Sequence, residues 1–316
     1  MNLKYSKTEL TQLIKEKAYS LGFFAIGMAK AEPIDAMHSE AFRQWIDQNY
    51  QAEMGYLVNN LEKRLDPTLL EPGTKTILSL AYNYFPQEFI DPEEYQIAWY
   101  SYGKDYHYIV KEKLTELFTY INELYEVKGR VFCDTAPVLE RYWAWKAGLG
   151  WIGKNTQLII PKAGCTFFLG EIFIDIELDY DTPQRNRCGS CSKCIQVCPT
   201  NALEKPHLLN ANKCISYQTI ENRNEIAPEI ASLLDNKIYG CDDCIKACPW
   251  TRFATPTQEP AFRISKELLR MTRKDWHQLT EKQYQDLFRK SAVKRAKFYG
   301  LTRNIKAVED KINKTT

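Results

Sequence analysis

The chain of 316 residues contains no run of 18 apolar residues, so no segment of it reads as a membrane-spanning helix. Met1 to Ser20 is rich in Lys and Glu and lacks the apolar stretch of a secretory signal. A twin-arginine export signal is also missing. Together these absences point to a cytoplasmic protein, in which ten cysteines are thiols or metal ligands rather than disulfides. No internal repeat is visible. Net charge is small, +2, but unevenly placed. Residues 261–316 hold 15 Lys and Arg against 6 Asp and Glu, which leaves a tail of +9 on a body of −7. Such a tail reads equally as a surface for a polyanion or as a solvated helical face. What is present in quantity is apolar surface, 44% of residues, enough for the two domains that the length favours.

Eight of the cysteines carry the strongest signal. Cys188, Cys191, Cys194, Cys198 and Pro199 spell C-x2-C-x2-C-x3-C-P, and Cys241, Cys244, Cys248 and Pro249 spell the same run without its first cysteine, where Ile238 stands. This is the run of two-cluster bacterial ferredoxins, in which the fourth cysteine of each run ligates the other cluster. Cys214, alone between the runs, restores the eighth ligand. The partition that follows is Cys188, Cys191, Cys194 and Cys248 for one 4Fe–4S cluster and Cys198, Cys214, Cys241 and Cys244 for the other. Structural zinc, the competing use of four cysteines, prefers separated C-x2-C pairs. Cys133 and Cys165 stand outside the set and read as buried thiols.

Along the chain, periodicity predicts a helix over 5–21, a buried strand over 23–29, a helix over 42–50, a helix or loop over 54–70 and a strand over 76–84. Trp99, Tyr100, Tyr102, Asp105, Tyr106, His107 and Tyr108 then form an aromatic and polar stretch suited to a large planar ligand. Asp105-Tyr106-His107 matches the start of the corrinoid D-x-H-x-x-G pattern, but Val110 occupies the glycine position, so His107 reads as a hydrogen-bonded wall residue rather than a cobalt ligand. A helix over 111–127 and a strand over 130–133 follow. Asp134 then has two readings: the N-cap of a helix reaching Lys146, or a carboxyl at a strand end where active sites lie. Gly148, Gly150 and Gly153 match G-x-G-x-x-G, yet a helix precedes them and a strand follows, the reverse of a dinucleotide site. A hairpin is expected from 158–160 and 166–178 through Pro161 to Gly164, its second strand buried on both faces. Residues 179–187 read as a linker, and 259–316 as helical.

Four strings then carry a resemblance: Asp134 to Arg141 (DTAPVLER), Lys146 to Lys154 (KAGLGWIGK), Cys214 to Glu221 (CISYQTIE) and Ile238 to Cys244 (IYGCDDC). With the cysteine spacing, they resemble the epoxyqueuosine reductases, cobalamin-dependent oxidoreductases of queuosine biosynthesis in tRNA. The likeness runs from about Gly22 to Asn304. It implies an α+β fold: an α/β cobalamin-binding domain (1–180), a bacterial-ferredoxin-type two-cluster domain (181–258) and a basic helical segment (259–316). It further implies cob(II)alamin as cofactor, electrons passed singly from an external donor through the clusters, and attack of the reduced cobalt on the epoxide of the modified base at position 34. Asp134 aligns with the family's proton donor. A carboxylic acid protonates the alkoxide released by the opening epoxide, and desolvation would keep it protonated at neutral pH.

Asp105, His107 and Arg141 are candidates for orienting substrate. Asp134, Gly153, Lys154, Asn155, Thr156, Ser216, Tyr217, Gln218, Thr219, Asp242 and Asp243 are candidates for holding the corrin. Arg289, Lys290, Lys294, Arg295, Lys297 and Arg303 would meet the tRNA backbone. Longer family members add a C-terminal helical-repeat region beyond the point where this chain stops. Two rivals remain: a reductive-dehalogenase-like corrinoid reductase, and a ferredoxin-type electron carrier without catalysis of its own. Some 180 residues ahead of the first cluster cysteine are more than a carrier needs.

Overall fold

The structure, a computed structural model, describes residues 5–315, with side chains as far as Asp310. Helix α1 (Lys7–Ser20) opens on a capping box between Ser6 and Glu9 and buries Leu10, Thr11, Ile14 and Ala18. Four strands follow in the sequence β1 (Ala25–Lys30), β2 (Thr76–Asn83), β3 (Gly129–Phe132) and β4 (Phe167–Ile174), and they lie side by side in the order β1-β2-β4-β3. Every neighbouring pair in this sheet is antiparallel. The fold is therefore α+β.

Alternation along the two central strands builds two cores. Leu78, Leu80, Ile172 and Ile174 face α1 and α2 (Tyr106–Leu124), which contributes Val110, Leu114, Leu117 and Ile121. Ile77, Ala81, Leu169 and Phe173, with Phe132 of β3, face α3 (Glu140–Lys146) and its Tyr142, Trp143 and Ala144. Each fully buried side chain of this size contributes roughly 1.5–3 kcal/mol by leaving water. Gly27 marks where β1 comes closest to the end of α3: a Cβ there would lie 1.9 Å from the Ala147 carbonyl oxygen.

The expected elements are found with shifted ends. The second helix runs Ala36–Asp47, and 54–70 resolves into short turns of helix at Leu61–Leu65 and Pro67–Leu70. The expected hairpin is different. Leu158–Ile159 pairs with Trp151–Ile152, only a single bridge joins Ile160 to Gly164, and β4 pairs with β2 and β3. Its burial on both faces is as expected, with Ile172, Phe173 and Ile174 all at 0% exposure.

The two cysteine runs meet through their short helices at Lys193–Gln196 and Asp243–Lys246, with the short helix α4 (Ile215–Ile220) between them in the chain, and a strand at Lys237–Tyr239 joins Gln96–Ile97 in parallel. The C-terminal segment ends in α5 (Lys297–Thr315) and is not set apart. Phe262 meets Tyr82 and Phe168 edge-on, Glu259 accepts from the Tyr82 hydroxyl at 3.0 Å, and the Asp105 N–H donates to the Lys290 carbonyl at 2.7 Å. The first core thus extends unbroken from α1 to Val308.

Candidate functional site

Asp134 follows β3 by two residues and adopts a left-handed backbone, φ 56°. It does not cap the next helix: α3 starts only at Glu140, Leu139 is its N-cap, and no side chain caps it. The strand-end reading of Asp134 is the one that matches. Its own N–H donates to Glu140 Oε1 at 2.5 Å, which ties the loop to the start of α3.

The carboxylate is held from α2. Asp105 caps that helix by accepting the His107 N–H, and its Oδ1 also lies 2.7 Å from His107 Nδ1. The other ring nitrogen, Nε2, is 3.3 Å from Asp134 Oδ2, and the Tyr106 hydroxyl donates to the same oxygen at 2.5 Å. Tyr106 is fixed in turn by stacking, with ring centroids 4.2 Å from His107 and 4.3 Å from Phe168. Asp105, Tyr106, His107 and Asp134 therefore form one hydrogen-bonded chain.

Its protons do not sit where desolvation alone would put them. Burial is the largest influence on Asp134 and pushes its carboxyl up, but the bonds from His107 and Tyr106 and the charges of His107 and Arg141 outweigh it. The net shift is downward. This corrects the expectation of a carboxyl held protonated by its surroundings. Burial likewise opposes the charge on His107, yet the bonds and charges of Asp105 and Asp134 prevail and raise it to about 9. Near neutral pH the mobile proton rests on the imidazole, one hydrogen bond from an ionised Asp134. The Tyr106 hydroxyl, buried and facing that carboxylate, is pushed far up and stays protonated as a donor. The Asp134 side chain is nonetheless 56% exposed, so the network has an open face.

One group of cysteines meets at a cavity. Cys188, Cys191, Cys194 and Cys248 line one cavity of about 190 Å³ with Lys154, Asn155, Arg187 and Trp250. Burial, then the charges of Cys248, Cys188 and Cys191, raise the Cys194 thiol. Burial is also the first cause for Cys241 and Cys244, followed for both by neighbours that include Cys214, while Cys214 itself feels Cys198. Among the described residues no three His, Cys, Asp or Glu side chains converge on a single metal ion. Four thiols around a shared void suit a cubane, whose sulfurs stand apart, better than a tetrahedral zinc. Cys133 and Cys165 are buried thiols, 3% and 4% exposed, as expected.

Several residues expected at the corrin make hydrogen bonds within the protein. Lys154 Nζ donates to the carbonyls of Gly189 and Cys191, and Asn155 Nδ2 to that of Cys244, so this turn clamps both cysteine runs. Gly153 supports the turn with its N–H bonded to the Gln157 carbonyl. Thr219 is corrected: it is wholly buried, its hydroxyl bonded to the Ile215 carbonyl and to the Gly240 N–H. Gln218 is buried and donates to the Asn212 carbonyl, and the Tyr217 hydroxyl accepts the Glu53 N–H. Asp242 is buried and accepts the Trp99 N–H at 2.8 Å, while Asp243 pairs with Lys237 at 3.1 Å. Thr156 and Ser216 are half-buried, and their hydroxyls make no hydrogen bond among the described residues.

In the tail, Arg303 is buried and donates to the carbonyls of Asn222, Asn224 and Gln218, so it cannot meet a phosphate. Arg295 is paired with Glu221 at 2.7 Å. Sequence reading gave no role in the site to Glu140, Glu171 or Arg64, which surround Asp134, and named Tyr106 only as part of the aromatic stretch.

Residues 64–135 match the family model described as "Epoxyqueuosine reductase QueG, DUF1730", and residues 187–251 match "4Fe-4S double cluster binding domain". The chain is 44% identical over 301 residues to the epoxyqueuosine reductase of Cellulophaga algicola, covering 95% of this chain and 98% of that one. An epoxyqueuosine reductase solved with an epoxyqueuosine-modified tRNA stem loop superposes with a TM-score of 0.90 at 27% identity, over 97% of this chain and 82% of that one. The enzyme from Bacillus subtilis, solved with an aspartate catalytic loop swung out of the active site, superposes with a TM-score of 0.88 at 26% identity, over 97% of this chain and 82% of that one. A catabolic reductive dehalogenase shares the fold alone, with a TM-score of 0.51 at 14% identity. The cysteine partition, the aspartate loop after β3 and the length of the likeness agree, and the chain belongs to the epoxyqueuosine reductase family.

Proposed function

We propose that the chain reduces the epoxide of epoxyqueuosine at position 34 of tRNA, giving queuosine, with Asp134 as proton donor. The observation that carries this is the Asp105–His107–Asp134 chain, which keeps a proton one bond from a carboxylate that is open to the outside. The overall change is epoxide plus two electrons and two protons to alkene plus water, so the site must supply acid twice. A bound corrin would supply a two-electron nucleophile at the epoxide carbon, fed singly by two 4Fe–4S clusters and an external donor. Asp134 takes the His107 proton as the oxygen departs, since a carboxyl at hydrogen-bond reach is the stronger acid once its ion-pair partner is neutral. Asp105 holds the imidazole in orientation, Tyr106 fixes the carboxylate, and Arg141 offers a charge for the substrate. General acid help of this kind supplies roughly 10²- to 10⁴-fold in rate.

The residues present fit both groups. Two sets of four thiols supply the ligands for two clusters, and the open carboxyl beside Tyr106 and Arg141 leaves a face for a planar macrocycle. Thr156 and Ser216, whose hydroxyls are unspent, would hold its amides. On a division at 1–180, 181–258 and 259–316, the corrin would be held by the first unit and the clusters by the second. Exposed tail lysines such as Lys290, Lys294 and Lys297 would track the anticodon backbone, and a tRNA substrate would place the protein in the cytoplasm. Anaerobic incubation with a strong reductant, cobalamin and an epoxyqueuosine-containing stem loop, followed by nucleoside analysis, tests the proposal. Queuosine is expected, and its absence from cluster-loaded, corrin-bound protein would overturn it.

A further inference from the structure

One residue breaks the apolar pattern on the α3 face of the sheet. Glu171 lies in the middle of β4, wholly buried, with Ser79 of β2 opposite it on one side and Phe132 of β3 on the other. Ile77, Ala81, Leu169 and Phe173 share its face. Ser79 Oγ donates to Glu171 Oε1 at 3.3 Å, but Oε2 receives nothing from any N–H or O–H among the described residues. The side chain is in contact instead with the carboxyl of Glu140, which accepts the Asp134 N–H.

Two touching carboxylates in an apolar core cannot both be ionised, because repulsion adds to desolvation. The groups around the pair set how much charge it can keep. Asp134 and Cys133 face it from the end of β3, Arg141 from α3, Asp105 and His107 from the start of α2, and Arg64 from the Leu61–Leu65 turn. Three cations, Arg64, His107 and Arg141, thus stand against Asp105, Asp134 and one charge on the pair. A second charge would be uncompensated.

We propose that Glu171 is a positioning residue for Asp134: Glu171 and Glu140 share one proton, and the shared proton fixes Glu140 as the acceptor that holds the Asp134 backbone in its left-handed turn. The inference rests on the reading of Asp134 as the acid. No bond in the substrate is made or broken by the pair. Burial, then the charge of Asp134, raises Glu140 to about 8. Glu171 is pushed well up by burial and then by Glu140. Both shifts keep a proton on the pair at neutral pH.

The test uses cluster-loaded, corrin-bound protein and the variants Glu171→Gln and Glu171→Leu. The amide of the first still donates to Glu140 but carries no titrating proton; the second donates nothing. Infrared spectra at pH 7 should show a buried carboxylic-acid C=O stretch, shifted in ²H₂O, that the Gln variant lacks. In single turnover the Gln variant should stay within about threefold of the parent at pH 7, with its alkaline fall in rate moved from the Glu140 titration near pH 8 to that of His107 near 9. The Leu variant should lose roughly 10²-fold in kcat with KM unchanged, as a small displacement of a catalytic group does. Should the Leu variant fail to fold, the parent and the Gln variant still decide. A parent spectrum with no protonated carboxyl, or an alkaline limb unchanged in Glu171→Gln, overturns the inference. A carboxyl band lost in the Gln variant, in a protein that makes no queuosine, would confirm the shared proton and refute the catalytic reading instead.

Discussion

Replacing Asp134 with Asn tests the proton chain at its centre. The substitution keeps the size of the side chain and removes the charge that faces His107 Nε2 at 3.3 Å. Two unit charges at that distance interact by about 1.3 kcal/mol in a water-like medium and about 2.5 kcal/mol at half that dielectric. At 1.36 kcal/mol per pH unit, these energies correspond to a loss of about 1–2 units in the His107 pKa. The lower end weighs more, because Asp134 is more than half exposed and screened. His107 starts at about 9 in the parent, so it should titrate near 7–8 in the variant, held up only by Asp105. The chain has four histidines, so imidazole resonances followed by NMR in cluster-oxidised protein can be assigned by single replacements. Turnover should fall by at least about 10²-fold with both clusters and the corrin retained.

The sign of the stability change follows from the same shift. His107 is raised from 6.5, so its contribution is complete below pH 6.5 and is lost as pH rises through about 9. The variant should therefore differ most from the parent between about pH 4 and 6.5, where Asp134 is ionised and His107 charged, and least above pH 9 and in strong acid, where Asp134 is protonated in both states. A His107 pKa that does not move, or near-parental turnover, would show that Asp134 is neither the partner of the imidazole nor the proton donor.

Three further outcomes follow from the packing. Cys214→Ser should reduce iron from about eight to about four per chain and remove one cluster EPR signal while keeping the other, since Cys214 belongs to the second set of thiols; unchanged iron would break the ligand partition. Arg303→Met should destabilise the chain by roughly 1–3 kcal/mol, as buried carbonyls that lose their donor do, without changing the salt dependence of stem-loop binding, because Arg303 is spent on Asn222, Asn224 and Gln218. A reduced salt slope would instead make Arg303 a phosphate contact. Gly27→Ala should lower the melting temperature by several degrees at about 2–4 kcal/mol, since a Cβ would press on the Ala147 carbonyl at 1.9 Å; an unchanged melting temperature would mean that β1 and α3 can part.

The sequence revealed most where chemistry fixes spacing. The ferredoxin spacing sends each fourth cysteine to the other cluster, and Cys188, Cys191, Cys194 and Cys248 line one cavity. The central strands were legible because apolar runs bounded by turns have few other uses. Asp134 was ambiguous because a carboxylate followed three residues later by Pro137 is equally a helix start; only the left-handed backbone and the absent cap separate the two. Polar residues in the 153–156 and 216–219 strings looked like ligand contacts because a hydrogen-bonding side chain does not announce its partner. Lys154 and Asn155 hold the cluster loops together, which fits a family-specific string as well as binding a corrin would. Glu171 was illegible for a different reason. One carboxyl in an apolar strand reads as an interruption of the pattern, and its purpose appears only when the register brings Ser79 beside it and α3 brings Glu140 against it. A buried acid pair is a relation between residues 31 positions apart, across a chain reversal that periodicity cannot see. The same holds for the site as a whole. Asp105 and His107 open α2, Asp134 follows β3 and Glu171 lies in β4, so the packing of α2 on the sheet and the antiparallel register of β3 against β4 together bring three separate segments to one site.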